Sequence, residues 1–382
     1  LDQKNIILQK PNFSGESMVE GFGDLKESIS KVLPLLSEKS SGIDRNNEMH
    51  PEVLRALFKN GLMTILAPKD FGGQESYYLS SIAAEALAKV NAGVAHSVVV
   101  HNATLDALRL FGTPEQKKKW IPKLKSGVGT LAMTEAGGGS DVASLKMEAK
   151  REGDMYILNG RKTFITNAEF GEVFIVIARA EEGLTAFLAE KDGVVVTKLD
   201  SSGLRGSGLS SVGFSNVEVP EENILGGVGR GLKVALATLA PNRIPFSAMG
   251  LGIAERSFEA AVRYAKGRSA FGRKIAEFQG IQWMLAELKA EIESVRRLIY
   301  HSARVADGDE ESELEVTTLG AICKLQAAKL AKKSSDIAVE IYGGHGILST
   351  SPVERAYRDA KLLDIAEGTS EIMKIIISRA IL

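Results

Sequence analysis

The chain has 382 residues, enough for two or three domains with buried cores, and its 44% hydrophobic and 25% charged residues are an ordinary globular composition. Its 47 Lys and Arg against 48 Asp and Glu leave a formal charge of −1, which provides no basic footprint for nucleic acid. Cys323 is the only cysteine, which excludes an intrachain disulfide and a thiolate metal cluster.

Three blocks follow in chain order, with boundaries expected at 1–126, 127–228 and 229–382. The first reads as helical: Leu25, Ile29, Val32 and Leu36 recur at steps of three and four, and Pro51 opens a second helix that stops near Gly61. Pro68 to Gly73 reads as a turn, and Ser80 to Phe111 as one or two mostly buried helices. Thr113-Pro114-Glu115-Gln116 carries an N-cap, a proline at the first helical position and an early acid. The second block changes to period two. Met155–Leu158, Val173–Ile177, Thr185–Leu188, Val194–Thr197 and Val212–Val219 are predicted strands between Gly, Asp and Asn turns. The third returns to helix. Phe278, Ile281, Leu285, Leu288, Ile292, Val295 and Ile299 form a bundle seam, and Leu319, Ile322, Leu330, Ile337 and Ile341 share one face of the next helix.

No apolar run approaches the ~18 residues that a membrane span needs, and the start lacks a basic stretch followed by an apolar one. Neither a span nor a secretory leader is expected. The expected location is the cytoplasm, or the mitochondrial matrix if a targeting peptide has been removed. His50, His96, His101, His301 and His345 show no metal-ligand spacing, so no metal is expected and hard redox chemistry needs an organic cofactor.

Four stretches carry chemistry. The first, Ala132-Met133-Thr134-Glu135-Ala136-Gly137-Gly138-Gly139-Ser140-Asp141, resembles the first signature loop of the acyl-CoA dehydrogenases. Its glycines let backbone N–H groups approach an anion such as a flavin diphosphate, and Ser140 adds a hydroxyl; by itself it is also an ordinary turn. The second, Arg161-Lys162-Thr163-Phe164-Ile165-Thr166-Asn167, resembles the family's Trp-Ile-Thr-Asn strand, with Phe164 in place of Trp; the plainer reading of Phe164 is a core side chain. The third, Arg268 to Arg273 with Phe271 and Gln279, is similar to the family's Arg-x-x-Phe-Gly…Gln stretch. It is joined by Glu340-Ile341-Tyr342-Gly343-Gly344-His345-Gly346, where Glu340 stands for a common Gln. The fourth, Ile365-Ala366-Glu367-Gly368-Thr369-Ser370-Glu371, resembles the family's Tyr-Glu-Gly-Thr-Ser motif, with Ala366 in place of the aromatic residue. Some relatives supply the base from a position matched here by Asn242, which cannot take a proton, so Glu367 stands unopposed.

The resemblance covers nearly the whole chain. It implies a multi-domain α+β fold: an N-terminal helical domain, a middle antiparallel β domain and a C-terminal four-helix bundle. It implies FAD-dependent α,β-dehydrogenation of an acyl-CoA thioester to the trans-2-enoyl-CoA, with Glu367 taking the α-proton, flavin N5 taking the β-hydride and electrons passing to an electron-transferring flavoprotein. FAD would be held by Met133, Thr134, Gly139, Ser140, Phe164, Ile165, Thr166, Thr369 and Glu371. From a neighbouring subunit, Arg268, Phe271, Gln279, Glu340, Gly343 and Gly344 would reach the same cofactor, in a homotetramer built as a dimer of dimers. Substrate would meet Ser140, Asn242, Arg243 and Gly368. The rival readings are an acyl-CoA oxidase or an enzyme for a non-CoA substrate on the same fold, and more remotely a nucleic-acid-binding flavoprotein, against which the net charge argues.

Overall fold

The computed structural model describes residues 20–382; the stretch on which the reading of the leader falls lies outside the described residues. The N-terminal block contains α1 (Phe22–Asn46), α2 (Pro51–Lys59), α3 (Tyr77–Val90), α4 (Ala92–Phe111) and α5 (Pro114–Leu124). Leu25, Ile29, Val32 and Leu36 are all buried, so the helical period of α1 is its core face. Between Ser80 and Phe111 there are two helices. Asn91 separates them: its φ of −151° is extended, and its side chain accepts the Val94 N–H to cap α4. Thr113 and Gln116 form a reciprocal capping box at α5.

The middle of the chain folds into an eight-stranded sheet of β1 (Val128–Ala132), β2 (Glu148–Glu152), β3 (Met155–Ile165), β4 (Gly171–Ala180), β5 (Gly183–Glu190), β6 (Val194–Lys198), β7 (Ser210–Pro220) and β8 (Ile224–Leu225). The order is β6-β7-β3-β2-β4-β5-β8, with β1 beside β4. The pairings are antiparallel except that β1 and β2 run parallel to β4, which the β2–β3 hairpin makes possible by supplying a long crossover between β1 and β4. Alternation along β4 divides its side chains between two cores. Phe174 and Val176 face Tyr156, Phe187 and Phe214, whereas Val173, Ile175 and Ile177 meet Leu105, Leu108 and Trp120 from α4 and α5.

The last block comprises α6 (Gly231–Gly267), a short hairpin of β9 (Ser269–Ala270) and β10 (Arg273–Lys274), α7 (Gln279–Asp307), α8 (Val316–Tyr342), α9 (Pro352–Leu362) and α10 (Ser370–Ile381). The block has three long helices and two short ones. The turn Gly343-Gly344-His345-Gly346 ends α8, and a loop over 363–369 separates α9 from α10. The single apolar face expected on α8 is also broader: Leu319, Leu330 and Ile341 are buried, Ile322 and Ile337 only partly, and much of the buried surface is Gly320, Ala321, Ala327, Ala328 and Ala331. These small residues let α6 approach closely. A Cβ on Gly320 would lie 2.4 Å from the Ala240 carbonyl oxygen, and one on Gly250 3.0 Å from that of Ala327. One apolar core then runs through α1–α4 and α6–α9, so the two helical blocks bury each other.

Candidate active site

Glu367 lies on the 363–369 loop. Asp364 holds that loop from within, its carbonyl accepting the Ser370 N–H at 3.0 Å and its carboxylate the Ser370 hydroxyl at 3.0 Å. Thr369 caps α10 by accepting the Ile372 N–H. From outside, Arg243 on α6 donates Nε–H to the Glu367 carbonyl at 3.0 Å. Lys324 on α8 donates Nζ–H to the carbonyls of Asp364 at 3.1 Å and Gly368 at 2.5 Å. The Glu367 side chain turns inward, and its Oε2 is buried without a hydrogen-bond partner. Desolvation pushes this carboxyl above its ordinary pKa, against the pull of Arg243 and then Lys324.

The 133–141 loop and the end of β3 form a second wall. Phe164 is 64% exposed, thrown out of the sheet by an irregularity in the β3–β7 register between Lys162 and Ile165, so it is not a core side chain. Ile165 is buried beneath it, and the Thr166 carbonyl accepts from Thr130 Oγ1 at 2.6 Å. Thr134 accepts the Thr163 N–H at 2.8 Å, which fastens the loop to the strand, while Gly139 and Ser140 stay exposed at its tip. A fully buried cation anchors the base of this wall. Lys162 Nζ donates to the Met133 carbonyl at 2.9 Å and to Glu135 Oε1 at 2.7 Å, and Glu135 also accepts the N–H groups of Lys146 and Met147. Desolvation raises the Glu135 carboxyl, but Lys162 and these N–H groups outweigh it and hold the group below its usual range.

The two walls connect through α4. Asn167 donates Nδ2–H to the Ser97 carbonyl at 3.0 Å, and the neighbouring His96 ring meets Phe246 edge-on at 5.6 Å, one helical step beyond Arg243. Burial pushes His96 down to about 4, so its ring is neutral. Asn242 spends its amide N–H donors on Asp106 Oδ2 and the Thr238 carbonyl, leaving only Oδ1 for a ligand. Among the described buried side-chain atoms without a partner, six belong to residues of these walls and of α4 and α6: His96 Nδ1, Ser97 Oγ, Asn167 Oδ1, Thr238 Oγ1, Asn242 Oδ1 and Glu367 Oε2. Buried polar atoms are normally paired, so open positions on these elements fit a polar ligand. The projecting Phe164 ring and the open glycine loop suit a planar ring carrying phosphates, as FAD does.

The remaining candidates form a separate cluster. Arg268 ends α6, and Phe271 on the β9–β10 hairpin is 94% exposed. Gln279 opens α7, while Glu340, Gly343 and Gly344 lie exposed at the end of α8, held near α6 by Tyr264 stacked on Tyr342 at 4.2 Å. Along α6, Arg268 is 25 residues from Arg243, roughly 37 Å at about 1.5 Å per residue, so one subunit does not bring this cluster to its own Glu367.

Backbone strain marks the same residues. Apart from asparagines, the described non-glycine residues with positive φ are Glu75, Phe164, Leu204, Phe271 and Glu367, and the φ values of Phe164, Phe271 and Glu367 are 57°, 52° and 58°. Gly368, next to Glu367, has φ 95°, Thr369 is the α10 cap, and Glu371 is exposed in the first turn of that helix. Lys162 and Lys324 were not singled out by motif. The signals available were period two in β3, which turns Lys162 inward with Tyr156 and Leu158, and the helical spacing of Lys324 from Gly320, Ala327 and Ala328. A polar cleft lined by Lys69, Glu75, Ser76, Arg109 and Asp307 lies elsewhere. Its Asp307 is occupied by Ser76 and by the N–H groups of Tyr77 and Tyr78. Among the described residues there is no group of three potential metal ligands, and no helix is long and apolar enough to cross a membrane.

Three family models match in succession: the acyl-CoA dehydrogenase N-terminal domain over residues 34–128, the middle domain over 130–217 and the C-terminal domain over 229–382. The chain is 38% identical to an acyl-CoA dehydrogenase of Bacillus subtilis, covering 89% of this chain and 92% of that protein. It is 35% identical to the mitochondrial short/branched chain specific acyl-CoA dehydrogenase of Rattus norvegicus, covering 94% and 84%. Among solved structures it resembles butyryl-CoA dehydrogenase from Megasphaera elsdenii, with a TM-score of 0.88 at 31% identity, covering 94% and 98%.

Proposed function

Because the chain belongs to the acyl-CoA dehydrogenase family of flavoprotein oxidoreductases, we propose that it binds FAD and oxidises a saturated acyl-CoA to the trans-2-enoyl-CoA. One hydrogen leaves Cα as a proton to Glu367 and the other leaves Cβ as a hydride. Bound FAD supplies the hydride acceptor at flavin N5. The residues proposed to hold it are Met133, Thr134, Gly139 and Ser140 of the loop, Phe164, Ile165 and Thr166 of the strand, and Thr369 and Glu371 at the start of α10. A neighbouring copy would add Arg268, Phe271, Gln279, Glu340, Gly343 and Gly344, within the homotetramer typical of the family. An electron-transferring flavoprotein is the proposed acceptor of the electrons.

An α C–H beside a thioester is a weak acid, so the base must be strong and the developing enolate must be stabilised. Desolvation of Glu367 supplies the first, since an ionised carboxylate without water regains much by taking a proton. The Glu367 backbone N–H is the proposed donor to the thioester oxygen. Arg243, which fixes the Glu367 carbonyl, keeps that N–H and the carboxylate in one geometry, with Gly368 and Ser140 beside the substrate. Asn242 contributes its remaining acceptor and sets the place of Arg243 through Asp106.

The observation that carries this reading is the buried, unpartnered Glu367 Oε2 on a strained loop fixed from α6 and α8. Glu367→Gln preserves shape and removes the base. The variant should keep the yellow bound flavin and lose its bleaching by acyl-CoA; normal bleaching would take Glu367 out of the role.

A further inference from the structure

The Glu367 loop is held by two cations on opposite helices, and Lys324 is the one no sequence motif accounts for. Its side chain is 1% exposed, yet an ammonium is among the costliest groups to bury. Two of its three N–H donors go to the carbonyls of Asp364 and Gly368, which bracket Glu367 in the chain. The Asp364 carboxylate is already matched by Lys332, Lys361 and Ser370, so it needs no further cation. A fold that wanted only two capped carbonyls could use a neutral donor. The additional property of lysine is charge, placed where the nearest carboxylate with a buried, unpartnered oxygen is Glu367.

We infer that Lys324 is a positioning residue for the reaction: it clamps the loop across Glu367 and holds a positive charge within electrostatic reach of the carboxylate that is to accept the α-proton. Gly320, one turn earlier on α8, makes this possible by letting α8 close onto α6, so that Arg243 and Lys324 reach the loop from two sides. The charged groups around Lys324 are Arg243 on α6, Asp364 and Glu367 on the loop and Glu371 on α10. Desolvation pushes Lys324 down to about 8, against Asp364 and Glu367, so it is mostly charged at pH 7 and below. Removing it leaves Arg243 as the only other cation of this set, and Glu367 becomes easier to protonate.

This inference rests on Glu367 being the base, and the test separates the two. Flavin reduction by a saturated acyl-CoA is followed across pH in FAD-loaded wild type, Lys324→Gln, Lys324→Met and Lys324→Arg, with Glu367→Gln alongside. Gln keeps an N–H donor for the carbonyls without charge, Met keeps neither, and Arg keeps both. The acid limb of the rate profile should move up by about one pH unit, roughly tenfold in rate below the limb, in Gln and Met, and stay in place in Arg. Hydrogen exchange on the apoprotein gives a readout independent of turnover. Amides of residues 363–369 should exchange about tenfold faster in Met than in wild type, with Gln between them. An unmoved acid limb in the Gln and Met variants, whatever the drop in rate, would overturn the inference while leaving the base assignment intact. Failure of both Gln and Arg to fold would also overturn it by making Lys324 a stability residue. Normal bleaching in Glu367→Gln would instead remove the base assignment.

Discussion

Replacing Lys162 by Met tests whether the cation buried under the 133–141 loop serves the proposed flavin site. Lys162 is fully buried and the side chain of its partner Glu135 is only 13% exposed, so the pair is close to the buried limit. Taking one partner from such a pair costs about 3–5 kcal/mol, because the other charge stays behind unpaired. Glu135 keeps the N–H groups of Lys146 and Met147 and some water, which places the cost near the lower end, at about 3 kcal/mol. The loop can recover this by leaving its present path, and in doing so it gives up the arrangement of Met133 to Ser140. If the whole cost falls on that arrangement, FAD affinity weakens by about a hundredfold, since about 1.4 kcal/mol corresponds to a factor of ten. Titrating apoprotein with FAD, followed by flavin fluorescence and the visible spectrum, measures the effect. Lys162→Met with Glu135→Gln removes both charges and should recover most of the loss. Unchanged FAD affinity in Lys162→Met, or a double variant as weak as the single one, would refute the argument.

Other perturbations follow from the same contacts. Gly320→Ala places a Cβ 2.4 Å from the Ala240 carbonyl oxygen, so α6 and α8 must part. An overpacking cost of about 1–3 kcal/mol is expected, read as a lower calorimetric melting temperature together with slower flavin reduction; an unchanged melting temperature would count against the close approach. His96 and His101 are held neutral by burial, at about 4 and about 3, against an unfolded value of about 6.5. Their contribution is fully present above the unfolded pKa and is lost as pH falls toward the folded values, with about 2 kcal/mol lost per histidine between pH 7 and pH 5. Denaturant midpoints at the two pH values check this, and His96→Gln should flatten the slope by a measurable part.

The legible parts of the fold are those with a local cause. The spacing in α1, the capping box at Thr113 and the alternation in β3 to β7 each depend on neighbours in the chain. The face of α8 was less legible because its burial is made by glycine and alanines facing α6, which no apolar period reveals. The parallel joins of β1 and β2 to β4 depend on a crossover, which strand periodicity does not encode. Helix α6 runs through Pro241 and Pro245, residues that in isolation argue for breaks; the core it shares with the N-terminal helices overrides them. At the candidate site, Glu367 is legible because it falls in a recognisable string, whereas the roles of Lys324, outside any string, and of Lys162, inside one, depend on partners that lie far away in sequence. The donors of Asn242 are committed to Asp106 and Thr238 and its Oδ1 is left open, a distribution only coordinates reveal.

The left-handed conformations of Phe164, Phe271 and Glu367 have a consequence for anyone engineering this protein. Each is a place where glycine would sit more comfortably, by an amount on the order of 1 kcal/mol. A thermostability screen that scores melting temperature alone would therefore reward the loss of these three side chains, and under the proposed function its winners would be hardier and without their base and flavin contacts. Selection for robustness in this scaffold has to be paired with a readout of turnover.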